Sequence, residues 1–153
     1  MRPPPRDCPC HSGLRYKACC APFHDGAHEA PTPEALMRSR YAAFALGLGE
    51  YLVRTLASTH PDLEKPRDEL TRALGRARVQ QRFTGLRILS ATTSPDGDRG
   101  EVLFYARIFE RGADRSFAER STFVREAGAW RYEAGEFVPR AELPEDVDRP
   151  RRT

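Results

Sequence analysis

The chain has 153 residues, of which 39% are hydrophobic and 31% are charged, and its formal net charge is +3. This length and composition suit one soluble globular domain with a small appendage. No stretch approaches the roughly 20 apolar residues of a membrane-spanning helix, and no apolar run resembles a signal peptide, so we predict a cytoplasmic protein without membrane insertion.

The first 24 residues carry the whole net positive charge of the chain. They hold one acidic residue, Asp7, and four basic residues, Arg2, Arg6, Arg15 and Lys17. Such a segment suits an acidic protein surface or a phosphate backbone. In the rest of the chain arginines alternate with Glu and Asp, which argues against a broad nucleic-acid surface.

The same segment contains every cysteine of the chain, in the run CPCHSGLRYKACC: Cys8, Cys10, Cys19 and Cys20. Clustered thiols in a cytosolic protein favour a metal site over disulfides, and zinc accepts four thiolates in a tetrahedron. A tight turn would bring the first pair together, and a helical turn over residues 14–18 would return the second pair. Four protein ligands leave no open position, so the predicted Zn2+ is structural.

Other interpretations of this cluster remain open. Adjacent cysteines point apart in regular structure, so His11, His24 or His28 would supply the fourth ligand if Cys20 did not. Two disulfides or a reactive thiol pair are further alternatives. The histidines that follow the cysteines, His24 and His28, fit best as polar linker residues.

Residues 25–33 are predicted to be a linker, and three helices follow. Thr32 is a suitable N-cap and Pro33 suits the first helical position. The first helix has an apolar face at i, i+4, i+7 and i+11. A second helix is expected to end near His60, before Pro61, and a third to cover residues 67–78.

The pattern then changes to strands over residues 82–93, 100–110 and 115–126, followed by a fourth strand that contains Trp130 and Phe137. Three helices followed by an antiparallel meander predict an α+β domain over residues 34–138. Residues 139–153 are rich in proline and charge and are predicted to be a flexible tail. Strand 100–110 is partly apolar on both faces, which indicates strong curvature or a second cover, and a homodimer through that sheet face is a further prediction.

Two resemblances cover most of the chain. The cysteine run resembles the SEC-C motif, the zinc tail of the SecA translocase, which reads C-x-C, eight residues, then C-C; the usual glycine after the second cysteine is His11 here. PTPEALMRSRYAAFALG, LASTHP and FAERSTFVREAGAWRYEAG resemble the YchJ family of bacterial proteins. This implies a SEC-C motif over residues 1–24 and a nuclear transport factor 2-like cone of helices on a curved sheet.

Such a cone holds a ligand or is filled by its own side chains. The inward-facing candidates for a pocket are Arg40, Tyr41, His60, Arg107, Glu119, Ser121, Phe123 and Trp130. A buried Glu, His and Arg together would make an acid–base site. The alternative without a functional site is that Glu119 pairs with Arg107 or Arg120 across the sheet, that His60 caps the end of its helix and that Trp130 is a core residue.

Two functions of different class follow. The first is a zinc-stabilised adaptor. Its basic cysteine-containing segment, the finger, binds a protein or ribonucleoprotein partner through Arg15 and Lys17, and nucleic acid alone is a disfavoured partner. The second is a small-molecule enzyme or sensor that uses the cone pocket. Because no catalytic motif is present, we expect no enzyme and favour the first. A deep cavity with converging Glu119, Ser121 and His60 would favour the second.

Overall fold

Helices occupy the first half of the chain and strands the second. The computed structural model describes residues 5–148. The α-helices are α1 (Ala21–His24), α2 (Pro33–Leu46), α3 (Gly49–Arg54), α4 (Arg67–Gly75) and α5 (Ala77–Gln80), with 3-10 turns at Tyr16–Ala18, Pro61–Glu64 and Arg140–Glu142. Within these residues, every helix is too short or too polar to span a bilayer.

The strands form one antiparallel sheet, as the period-two patterns predict. They are β1 (Arg82–Thr93), β2 (Arg99–Glu110), β3 (Ala113–Asp114), β4 (Phe117–Glu126) and β5 (Ala129–Val138). The order is β1-β2-β4-β5, and the short β3 pairs with β2. Register shifts in the β1–β2 and β4–β5 pairs bend the sheet, because bulges increase local twist and curvature.

Helix α2 is the element that closes the cone. It starts where the sequence predicts, since the Thr32 hydroxyl accepts a hydrogen bond from the Ala35 amide at 3.0 Å, and it ends at Gly47 in the left-handed conformation at φ 74. Its inward face, Leu36, Met37 and Tyr41, packs against the inner residues of β2 and β4. The core therefore lies between α2 and the concave face of the sheet.

The second helix is shorter than its sequence pattern predicts. It ends at Arg54, and the next residues pair with β5: the Tyr132 amide donates to the Thr55 carbonyl and the Ala57 amide to the Tyr132 carbonyl, both at 2.8 Å. Leu56 therefore bridges to Tyr132 and residues 58–59 form a turn before His60, because pairing with β5 replaces another helical turn.

The convex face of the sheet is covered in part by the chain itself. Val147 is 2% exposed and packs with Tyr105 and Ala118, and Leu143 lies against the same cluster. Arg87 also donates to the Asp146 carbonyl at 3.1 Å. The predicted flexible tail is therefore wrong for residues 139–148, because apolar side chains among its prolines have a surface to bury; residues 149–153 lie outside the described part. The homodimer stays a prediction, and the convex sheet face offers it less exposed surface than the sequence suggests.

The segment between the finger and α2 is also packed rather than a free linker. Ala30 is buried in the main core, and the Trp130 indole N–H donates to the Pro31 carbonyl at 3.3 Å. Glu29 pairs with Arg54 and Arg131. The polar composition of this segment does not reveal the packing, because the contacts with Trp130 and Arg131 come from about 100 positions away.

Candidate metal centre and cone cavity

The four cysteine side chains meet at one point. All four Sγ atoms lie within 4.8 Å of one another, and together they can hold a metal ion. The Sγ–Sγ distance is 3.5 Å between Cys10 and Cys19 and 3.9 Å between Cys19 and Cys20. A tetrahedron with metal–sulfur bonds of about 2.3 Å has sulfur–sulfur edges of about 3.8 Å, so the spacing fits a four-thiolate site.

Short turns bring these thiols together. The His11 amide donates to the Cys8 carbonyl, and the Cys8 amide donates to the Leu14 carbonyl across a small hairpin. The backbone of His11 has φ 61, which explains why a glycine is usual there and why histidine is tolerated. The 3-10 turn at Tyr16–Ala18 then returns Cys19 and Cys20, as predicted.

Packing four thiols this closely opposes their simultaneous ionisation. Hydrogen bonding to Cys10 raises the pKa of Cys8 to about 12 and also raises the pKa of Cys20. The thiolate of Cys10 receives those bonds, so its pKa is lowered. One thiolate is therefore favoured at the expense of its neighbours, and a bound cation is what allows several thiolates to coexist.

The finger (residues 7–24) is fixed to the body by a histidine. His24 Nε2 donates to the Ser39 carbonyl at 2.8 Å, so Nδ1 is left to accept from the Tyr16 hydroxyl at 2.6 Å. Burial lowers the pKa of His24 and favours this neutral form. Both ring nitrogens are occupied, so His24 is a packing residue rather than a linker residue or a ligand. His11 and His28 are exposed and outside the thiol cluster.

The predicted partner residues lie on the surface of the finger. Arg15 and Lys17 are exposed, and within residues 5–148 neither forms an ion pair. Leu14, beside them, is 54% exposed. The bridge between Asp7 and Arg15 holds this loop in place. The tip of the finger is thus an ordered basic surface with an apolar residue.

The body contains an open cavity of about 280 Å³ between α2 and the sheet. Four of the eight predicted pocket residues line it: Arg40, Tyr41, His60 and Glu119. Tyr41 is there mainly to bridge elements, because its hydroxyl donates to the Gly85 carbonyl at 2.9 Å and accepts from the Gly85 amide at 3.2 Å. His60 does not cap the end of its helix, which stops at Arg54; it caps the start of the 3-10 turn Pro61–Glu64, where its Nδ1 accepts from the Asp62 amide at 3.1 Å.

Glu119 does not pair with an arginine across the sheet. Its Oε2 accepts from the Ser121 hydroxyl at 2.5 Å and from the Tyr132 hydroxyl at 3.1 Å. Ser121 supports the carboxylate and does not line the cavity itself. A Cβ at Gly135 would come within 2.3 Å of Glu119, so glycine is needed for this close approach.

The remaining candidates are placed elsewhere. Arg107 lies on the convex face, with its guanidinium 5.7 Å from the Phe109 ring centre, because residues that alternate with the core positions of β2 point outward. Phe123 and Trp130 are buried in the main core and do not line the cavity. The cone is therefore filled at one end and open at the other.

Two residues that shape the cavity were not predicted from the sequence. Tyr132 contacts three cavity residues, and its place on the same strand face as Trp130 was the available signal. Thr55 anchors Arg40, its hydroxyl accepting from Nη1 at 2.5 Å. No local pattern marks Thr55, because its role depends on a helix 15 residues away.

Comparison with known proteins agrees with this architecture. The model of the YchJ middle NTF2-like domain matches residues 32–135, and the SEC-C motif model matches residues 7–22. A UPF0225 protein of Deinococcus radiodurans is 45% identical over 133 residues, which cover 85% of this chain and 88% of that protein.

Solved structures show the same arrangement. A SEC-C motif containing protein from Rhodopseudomonas palustris superposes with a TM-score of 0.74 at 39% identity, covering 86% of this chain and 98% of that one. Another, from Psychrobacter arcticus, gives 0.70 at 28% identity, covering 83% and 80%. The chain therefore belongs to the YchJ family, with an N-terminal SEC-C motif on a nuclear transport factor 2-like domain.

Proposed function

We propose that the protein is a zinc-stabilised adaptor and that its finger binds an acidic protein surface. The observation that carries this proposal is the ordered basic tip: the thiols point inward, whereas Leu14, Arg15 and Lys17 point outward. A fixed loop loses little conformational entropy on binding. Two exposed cations with an apolar neighbour suit an acidic protein surface that also has an apolar spot.

Zinc is the metal that best fits the four thiols. Soft thiolate ligands in a tetrahedron select zinc over the hard cations magnesium and calcium. The site would supply fold stability and no chemistry, because four cysteines complete the coordination. Arg15 and Lys17 also lessen the negative charge of a four-thiolate centre.

The role of the finger is tested by charge reversal. Arg15→Glu with Lys17→Glu is compared with Arg72→Glu with Arg82→Glu, which makes the same charge change at exposed positions of the body. We expect the finger variant to lose at least tenfold in affinity for an acidic peptide such as polyglutamate and to lose the partners captured from a native extract. The body variant should retain both, and metal content should be unchanged in each.

Salt and nucleic acid provide the second arm of the test. Binding through exposed charges should weaken as the screening length falls below about 8 Å. If the finger variant captures the same proteins as the wild type, the finger is only a structural support. If RNA binds tighter than polyglutamate and the finger variant loses it, the partner is a nucleic acid and the proposal fails.

A further inference from the structure

The cavity has apolar walls and one polar region. Its apolar lining includes Met37, Phe44, Leu56, Leu74, Phe83 and Ile108. Three polar side chains gather around the ring of Tyr132: the guanidinium of Arg40 lies 4.8 Å from the ring centre, the His60 ring 5.7 Å, and Glu119 accepts from the hydroxyl. Asp62 also lines the cavity, and its carboxylate pairs with Lys65. One small molecule in this space can therefore touch both a cation and an anion.

Three of the five N–H donors of Arg40, those on Nε and Nη2, have no acceptor among residues 5–148. Arg40 is 6% exposed, and Nη1 donates to the Leu52 carbonyl at 2.8 Å and to Thr55, which closes the end of α3. Among residues 5–148, no acceptor reaches Nε or Nη2 and no carboxylate lies within 4.0 Å. The Nε and Nη2 edge of the guanidinium is thus available, and this edge can bind a carboxylate with two parallel hydrogen bonds.

The cost of this arrangement points to a ligand. Burial lowers the pKa of Arg40 to about 10, so the group stays charged at neutral pH. Glu119 favours the charged form only through space, and a buried charge without a hydrogen-bonded counter-ion is costly. Capping α3 uses only Nη1 and explains neither the charge nor the free edge.

Glu119 indicates which second group the ligand must carry. Its Oε2 accepts two hydrogen bonds, whereas no donor within the described residues reaches Oε1. A simple carboxylate at Arg40 would be repelled by this neighbour. A hydrogen-bond donor on the same molecule would satisfy Oε1 and remove the conflict.

We propose that the cavity binds a small carboxylic acid with an apolar body and an amino or hydroxyl group. The carboxylate binds the Nε–Nη2 edge of Arg40, the amino or hydroxyl group donates to Glu119, and the apolar part packs against Leu74 and Phe83. This role is separate from that of the finger and requires no reaction. It fits the volume, which lies at the small end of ligand sites.

Four probes of one shape separate these contributions: L-leucine, 2-hydroxy-4-methylpentanoate, 4-methylpentanoate and 3-methylbutylamine. Each is titrated into the full-length, metal-loaded protein, and binding is followed by NMR shifts of residues around Tyr132. We expect saturable millimolar or tighter binding of the first two. The plain acid should bind at least tenfold more weakly, and the amine should not bind.

Three variants assign the contacts. Arg40→Lys keeps the positive charge but removes the paired N–H donors that bind both carboxylate oxygens, so it should weaken L-leucine binding at least tenfold. Leu74→Trp fills the cavity and leaves Arg40 unchanged, so it should abolish binding. It therefore tests the site independently of Arg40→Lys, in case that variant folds poorly. Glu119→Gln should erase most of the preference for L-leucine over 4-methylpentanoate. Leu63→Ala, at an exposed position outside the cavity lining, is the matched control.

Two results would overturn the proposal. One is the absence of saturable binding by any carboxylate probe at millimolar concentration. The other is binding that Leu74→Trp and Arg40→Lys leave unchanged, which would place the probe elsewhere. In either case Arg40 serves only to close the end of α3.

Discussion

The finger and the cone hold their shapes by different means. The finger is a short segment whose buried centre consists of three buried cysteines and Tyr16, packed on Ala42 of α2. The cone has a continuous apolar core of α2 and the sheet that includes Phe104, Phe123 and Trp130. We expect a segment too small to bury a core to depend on a metal, whereas the cone depends on packing, so the two regions should be separable by mutation.

The largest effect should come from breaking the thiol cluster. In Cys10→Ser the finger should lose its metal and its fold together, because structural zinc contributes about 10–16 kcal/mol in isolated fingers. Metal analysis after gel filtration should fall from about one equivalent to almost none. NMR should show residues 7–24 unfolded and the sheet intact.

The same variant decides whether the two regions are independent. Ala42 and Leu46 of α2 would become exposed, so the body should lose some stability while remaining folded. Cooperative loss of both regions would show that the finger is an integral part of the core. Full retention of metal would show that Cys10 is not a ligand.

How far the sequence predicts each region follows from the same distinction. The finger depends on a few residues close in sequence, so spacing alone predicts the thiol cluster and a helical turn between the two cysteine pairs, whereas the resemblance to the SEC-C motif marks His11 as a position where glycine is usual. The cavity depends on residues from α2, α4, the 3-10 turn Pro61–Glu64 and four strands. Alternation along single strands predicts that Glu119 points inward, but not that Tyr132 lies between Glu119 and Arg40.

Errors arose where contacts join distant parts of the chain. Residues 139–148 have the composition of a tail, yet Val147 packs against Tyr105, 42 positions earlier. His24 follows the cysteines like a linker residue, yet it hydrogen-bonds to α2. Composition reports what a segment can bury, and only the tertiary structure supplies the surface on which it does so.

The second prediction disrupts the cone and leaves the finger unchanged. Phe123→Ala removes a side chain that is fully buried in the cone, and such a change costs about 3–5 kcal/mol. Phe137→Ala, on the neighbouring strand where Phe137 is 74% exposed, should cost less than about 0.5 kcal/mol. Denaturant unfolding of the body measures both.

Metal content makes this pair of variants informative about the finger. Both proteins should keep about one equivalent of metal under conditions where the body is folded, because neither residue contacts the thiol cluster. Loss of metal from folded Phe123→Ala protein would mean that the cone core supports the finger directly, contrary to the separation argued above.

The smallest effect concerns the contact between finger and body. The pKa of His24 is lowered in the fold, so the unfolded state binds the proton more readily. The contribution of His24 is therefore fully present above its ordinary pKa of about 6.5 and is lost as pH falls through the lowered value. A proton on Nδ1 would face the hydroxyl hydrogen of Tyr16 and break a bond of about 0.5–1.5 kcal/mol.

Amide hydrogen exchange in residues 16–24 measures this loosening between pH 7 and pH 5. Thiolate protonation also weakens the finger in acid, so wild type must be compared with His24→Gln, which shares the thiols but has no titrating ring. We expect protection to fall more steeply with pH in the wild type. Tyr16→Phe should show a shallower slope than wild type, because Nδ1 then has no donor to lose. Equal slopes in all three proteins would mean that protonation of His24 does not loosen the contact between the finger and α2, which then depends on the thiol cluster and on the hydrogen bond from Arg38 Nη1 to the Cys10 carbonyl at 3.1 Å.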